Sequence, residues 1–165
     1  RCCEVLNTLD DRFDVILNVQ GDEPYIDPQE IKKLLSLFEE KDVTIGTLAK
    51  KITDYSVYVN LDNPKVFFDK NNIAISFTRE GDLSEEEFKK NIFFQHIGIY
   101  AFRSGILSEI KNLKESKKEI EKDLEQYRWM ENKYKIKVGI ACRESIAIDR
   151  EEDIEKIKSL HIKNS

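Results

Sequence analysis

Apolar residues recur along this chain with two periods, and the changes between them mark its elements. Cys2, Val5, Leu6 and Leu9 fall at helical spacing, which predicts an amphipathic helix over Cys2–Leu9. After the turn Asp10–Arg12, Val15, Ile16, Leu17 and Val19 lack polar alternation and predict a strand buried on both faces, as inside a parallel sheet. Asp27-Pro28-Gln29-Glu30 places Asp at the N-cap, Pro at N1 and Glu at N3 of a helix running to about Glu40, with Ile31, Leu34, Leu35 and Phe38 as its apolar stripe. With the β-branched run Val43–Ala49 this makes a β-α-β unit, whose crossover is expected to be right-handed.

Lys65–Asp69 and Ile73–Thr78 flank the polar turn Lys70-Asn71-Asn72 and predict a hairpin. Arg79–Lys90 is a charged exposed loop or short helix, and Asn91–Phe102 is a long apolar run. Its alternating stretch from Phe93 to Phe102 is expected to form part of a dimer surface. Ser104 is expected to cap a short helix through Ile110. Glu119–Glu131 reads as one helix and Lys135–Ala141 as a strand. Asp149 with Glu152 resembles a capping box opening a last helix. Together these elements predict an α/β fold with a doubly wound, mostly parallel sheet.

Composition narrows the classes. A chain of 165 residues that is 40% hydrophobic suits one domain, residues 1–165. Its 27 basic residues against 32 acidic ones give −5, with no separate basic tract, which argues against nucleic acid as a partner. No apolar run approaches the roughly 20 residues that span a bilayer. The three cysteines form no C-x-x-C pair, which suits a reducing cytoplasm rather than a disulfide or zinc framework. Arg1 lies inside an apparent helix, so polypeptide is expected upstream.

The chemistry-bearing candidates each carry two readings. Asp22 and Glu23 follow the buried strand and Gly21, a place for a hard divalent cation or merely for a solvated acidic turn. Asp149 follows Ile146–Ile148 and reads as a second metal carboxylate or, as the local pattern favours, a helix cap. His96 inside a strand reads as a hydrogen-bonded core residue, and His161 as inert. Arg79 holds an anionic group or a surface ion pair. Glu125, Gln126 and Arg128 read as a solvated helix face.

Six segments then occur in an order that resembles the CMP-Kdo synthetases, the 3-deoxy-manno-octulosonate cytidylyltransferases. They are NVQGDEP at Asn18–Pro24, NPKVFFD at Asn63–Asp69, FTR at Phe77–Arg79, QHIGIYAFR at Gln95–Arg103, LEQYRWMENKYKIKV at Leu124–Val138 and ESIAIDREEDIE at Glu144–Glu155. The resemblance implies a nucleotide-diphospho-sugar transferase fold of the glycosyltransferase-A-like kind, a homodimer, and the coupling of CTP to Kdo with magnesium and release of pyrophosphate for lipopolysaccharide synthesis. It implies that Asp22 and Asp149 are the magnesium ligands. It places Gln20, His96, Glu125 and Gln126 at the sugar, and Arg79 at the acid sugar or its phosphate partner. Arg1 resembles the last residue of the family's cytidine-contacting Ser-Gly-Thr-Asp-Arg segment, which makes the fold N-terminally incomplete. The chain departs from the family after FTR, where Glu80-Gly81-Asp82 replaces an Ile-Pro stretch, and at Arg150, where the family has Thr. Other acid sugars, sialic acid or an amino analogue of Kdo, and a non-catalytic dimerisation or regulatory role stay open as alternatives.

Overall fold

The structure, a computed structural model, describes residues 2–9, 11–21 and 26–142. Among them the elements run α1 (Cys2–Leu6), β1 (Val15–Asn18), α2 (Pro28–Ser36), β2 (Ile45–Lys51), α3 (Tyr55–Val59), β3 (Lys65–Phe68) and β4 (Ala74–Thr78). There follow α4 (Glu85–Lys89), β5 (Phe94–Arg103), α5 (Leu107–Lys111), α6 (Lys117–Lys122), α7 (Gln126–Glu131) and β6 (Ile136–Ile140). The expected last helix and its capping box lie outside the described residues.

The long apolar run becomes β5, the middle of a sheet ordered β4-β3-β5-β2-β6, with β1 pairing to β5 off that path. β5 is antiparallel to β1, β2 and β3, and the described parallel pair is β2 with β6. The α/β class is as the sequence implied, but the sheet is mixed rather than mostly parallel. β1 and β2 point the same way, as a β-α-β unit requires, yet β5 inserts between them. β1 is half-buried, not covered on both faces. β5 holds the central place, with Ile99 and Ala101 fully buried.

Helices cover both faces of the sheet, as in a doubly wound fold. On one face, Leu34 and Phe38 of the α2 segment pack with Leu48, Ile97, Ile99 and Ala101. On the other, Cys3, Leu107, Ile110 and Trp129 close over Ile45, Tyr100, Phe102, Ile136 and Val138. α2 begins as predicted: Asp27 accepts the Gln29 N–H at 2.7 Å and Pro28 fills the first turn. Two helices differ from expectation. Ser104 makes no side-chain cap and starts a 3-10 turn before α5. The predicted Glu119–Glu131 helix breaks at Asp123, which takes a left-handed φ of 53° and ends α6. That break lets α7 turn independently toward the sheet.

The β3–β4 hairpin turns where predicted, with Asp69 Oδ1 accepting from the Asn71 and Ile73 N–H groups and Asn72 at φ 58°. β4 is the last strand on its side of the sheet, and α7 protects it. The Tyr127 hydroxyl donates to the Phe77 carbonyl and accepts the Phe77 N–H at 3.2 Å, so an open strand edge meets a partner there. Tyr127→Phe leaves both groups buried without one. It should cost about 2 kcal/mol, read as a shifted urea midpoint at unchanged slope.

β5 carries a bulge where its pairing with β2 shifts from Thr47↔Tyr100 to Leu48↔Ile97, leaving Gly98 and Ile99 extra. The Thr47 hydroxyl lies 2.8 Å from the Ile99 carbonyl and stitches this irregularity closed.

Candidate active site

His96, Tyr100, Arg79 and Gln126 come from β5, from the end of β4 and from the start of α7. The hairpin places Phe77 against His96, with ring centres 5.2 Å apart, and Arg79 follows two residues later. The bulge sits between His96 and Tyr100, whose rings are 5.3 Å apart. Trp129 of α7 meets Tyr100 edge-on at 5.0 Å and fixes its ring.

His96 is buried, 5% exposed, and its Nε2 lies 2.9 Å from the Thr47 hydroxyl. That hydroxyl has one hydrogen. Given to the Ile99 carbonyl, it leaves the oxygen to accept from a ring protonated on Nε2; given to Nε2, it pairs with a ring protonated on Nδ1. Burial pushes the imidazole down to about 3 from its ordinary 6.5. His96 is therefore a neutral hydrogen-bonding group at physiological pH, in line with the core reading of the sequence.

Gln126 is not on a solvated face. It is 7% exposed and its Nε2 donates to the Tyr100 hydroxyl, whose ionisation burial pushes far above the usual range. Among the described residues its buried Oε1 has no hydrogen-bond partner. Arg128 also departs from the solvated face: its guanidinium grips the Glu119 carboxylate at 2.8 and 3.1 Å, holding that carboxyl below its ordinary range. Gln20, just past β1, lays its side chain over Gly98, where an added Cβ would sit 3.6 Å from the amide.

Arg79 and Glu125 share an open cleft of about 430 Å³ with Glu119 and Asp123. Glu125 is exposed there, and the next residue, Gln126, turns inward, so α7 joins cleft to buried group. The Arg79 guanidinium reaches the carbonyls of Leu61 and Asp123 at 3.4 Å each, while its buried Nε has no partner among the described residues. Its ion pair with Asp123 spans 3.9 Å and that carboxylate is fully solvated, so the contact contributes little. The cleft thus sets one cation, Arg79, among the carboxylates of Glu115, Glu119, Asp123 and Glu125, with the neutral amide of Gln126 beside it.

Asp22, Asp149 and Arg1 lie outside the described residues, as does Glu23. Among the described residues no cluster of three or more His, Cys, Asp or Glu is arranged to hold a metal, and no helix is long and apolar enough to cross a membrane. Sequence reasoning missed Thr47, Tyr100 and Lys65. A lysine inside the apolar segment PKVFF was the signal for the last of these. Thr47 and Tyr100 sit in strands where β-branched and aromatic residues are ordinary, and gave none.

Comparison with known proteins bears on the family and the fold. The chain is 42% identical over 166 residues to a 3-deoxy-manno-octulosonate cytidylyltransferase of Parabacteroides distasonis, a match covering 94% of this chain and 66% of the relative. A protein of the same name from Bacteroides thetaiotaomicron is 39% identical, with 93% and 65% covered. The chain thus spans a little under two thirds of the length of these relatives. Among solved structures, a CMP:2-keto-3-deoxy-manno-octonic acid synthetase complexed with CTP superimposes with a TM-score of 0.87 at 26% identity, covering 99% of this chain and 67% of that one. The sequence pattern of the cytidylyltransferase family matches residues 1–137, and the chain belongs to that family.

Proposed function

We propose that the complete protein transfers the cytidylyl group of CTP to an acid sugar, Kdo, and releases pyrophosphate, a step of lipopolysaccharide synthesis. The observation that carries this reading is the Gln126 Oε1, without a partner among the described residues, buried beside Tyr100 and next in sequence to the cleft that holds Arg79. Such a site offers a sugar hydroxyl an acceptor and a carboxylate a cation. The names of the relatives and the CTP bound to the solved synthetase support the choice of nucleotide and sugar.

In the reaction a sugar hydroxyl gives up its proton to solvent as its oxygen bonds the α-phosphorus, the bond from that phosphorus to the bridging oxygen breaks, and pyrophosphate leaves with the electron pair. Each reactant is an anion, so the chain must hold them in line and offset their repulsion. Arg79 supplies positive charge at the sugar's acid group. Gln126, Gln20 and Glu125 orient its hydroxyls, and His96 keeps the β5 bulge and Tyr100 in register as a neutral group. Arg1 belongs on the cytidine side. The oxygen donors of Asp22 and Asp149 fit a hard cation, and magnesium held there would neutralise phosphate charge. A homodimer is part of this proposal, supported by exposed Phe67 and Ile75 on the β3–β4 hairpin, as is work in the cytoplasm, where CTP is made.

The test gives the complete protein CTP with Kdo, sialic acid or the amino analogue of Kdo in turn. Kdo should give the highest kcat/KM. A clear preference for another acid sugar would change the named substrate, and turnover of none would point to the non-catalytic role.

A further inference from the structure

Lys65, the first residue of β3, has no exposed surface at all. A buried ammonium is costly unless its hydrogens are taken up, and here two backbone carbonyls take two of the three. Nζ donates to Asn60 O at 2.9 Å and to Arg79 O at 2.6 Å. It also stands 5.8 Å from the centre of the Tyr58 ring. The first carbonyl belongs to the C-cap of α3 and the second to the residue that presents the guanidinium to the cleft. Two further contacts tie the same segment to the same helix end. Arg79 Nη1 reaches Leu61 O, and Gly81 lies so close to α3 that an added Cβ would stand 2.2 Å from Tyr58 O. The backbone around Arg79 is thus held on a platform made by residues 58–61. Burial, together with the nearby Arg79 charge, lowers the Lys65 pKa from its ordinary value, while Asp82 opposes the shift.

We propose that Lys65 is a positioning residue for Arg79: its buried ammonium joins the Arg79 carbonyl to the end of α3 and so aims the guanidinium at the acid group of the substrate. This rests on the acid-sugar reading of Arg79. A lysine serving stability alone would need only any two carbonyls; this one bonds the main chain of the site's cation.

The experiment compares steady-state kinetics of the complete protein as wild type, Lys65→Met, Lys65→Arg, Arg79→Ala and the Lys65→Met/Arg79→Ala double variant. Lys65→Met should raise KM for the acid sugar about 10-fold, with kcat and KM for CTP changed by less than about 2-fold. Arg79→Ala should raise the same KM about 100-fold, and the double variant should be no worse than Arg79→Ala, because Lys65 acts through Arg79. Lys65→Arg keeps donors for both carbonyls and should recover most of the loss. A purely structural lysine would lower Tm and the active fraction, seen in kcat, and leave KM alone. If Lys65→Met does not fold, Gly81→Ala, which pushes the same segment off α3, should raise the same KM. An unchanged sugar KM in folded Lys65→Met, or in Gly81→Ala if that variant has to stand in, overturns the inference. So does an additive double variant. None of these results touches the proposed reaction. An unchanged KM in Arg79→Ala overturns the inference as well, since nothing is left to position, while wild-type turnover keeps the reaction. Failure of the wild type to turn over any acid sugar refutes the reaction itself, and with it the inference.

Discussion

Between pH 7 and pH 4.5 the wild-type fold is expected to lose about 3 kcal/mol that a His96→Gln variant keeps. The folded imidazole is held near 3, whereas an unfolded chain takes up a proton near 6.5. Above 6.5 neither state binds that proton and the stability is fully present. As pH falls from 6.5 toward 3 the unfolded state gains protons that the folded state refuses, so stability drains over that window. The ring is surrounded by Phe77, Tyr100 and the Thr47 hydroxyl, none of which titrates there. Carboxylates elsewhere contribute to both proteins and cancel in the difference. Urea midpoints at the two pH values measure it, and equal losses in wild type and variant would refute the buried, neutral assignment of His96.

Asp22→Asn and Asp149→Asn should each lower turnover by about 10³-fold while leaving the urea midpoint near that of the wild type. The amide keeps size and shape but surrenders the negative charge that a hard cation requires. The same pair separates the readings that the sequence left open. Asn is as good an N-cap as Asp, so a capping Asp149 predicts turnover close to wild type with at most a small change in stability. A solvated turn predicts the same for Asp22. Raising magnesium should partly restore a weakened site and do nothing for a lost cap.

Local chemistry made much of the fold legible. Asp27 and Pro28 announced α2, and the polar turn at Lys70–Asn72 announced the hairpin, because caps and turns are decided by a few neighbouring residues. Strand partners are not decided locally. Nothing in Phe94–Arg103 says that it runs antiparallel between β1 and β2, since the alternation of a strand is the same in either direction. The missed break at Asp123 has a similar origin: Ile120, Leu124 and Tyr127 keep helical spacing across it, and one left-handed residue leaves no mark in that pattern. At the site, the family resemblance named Gln126 and His96, whereas helical periodicity alone put Gln126 in solvent. Its burial depends on Tyr100, 26 residues earlier. Lys65 is buried because Asn60 and Arg79 happen to turn their carbonyls toward one point, which no stretch of sequence encodes by itself.

The central claim is the joining of a cytidylyl group to an acid sugar. Pyrophosphate release by the complete protein, with magnesium and with CTP and Kdo supplied together or singly, tests it most directly. The account predicts release only when both substrates are present, matched mole for mole by a cytidine monophosphate adduct of the sugar; release without the sugar, or none with both, would contradict it.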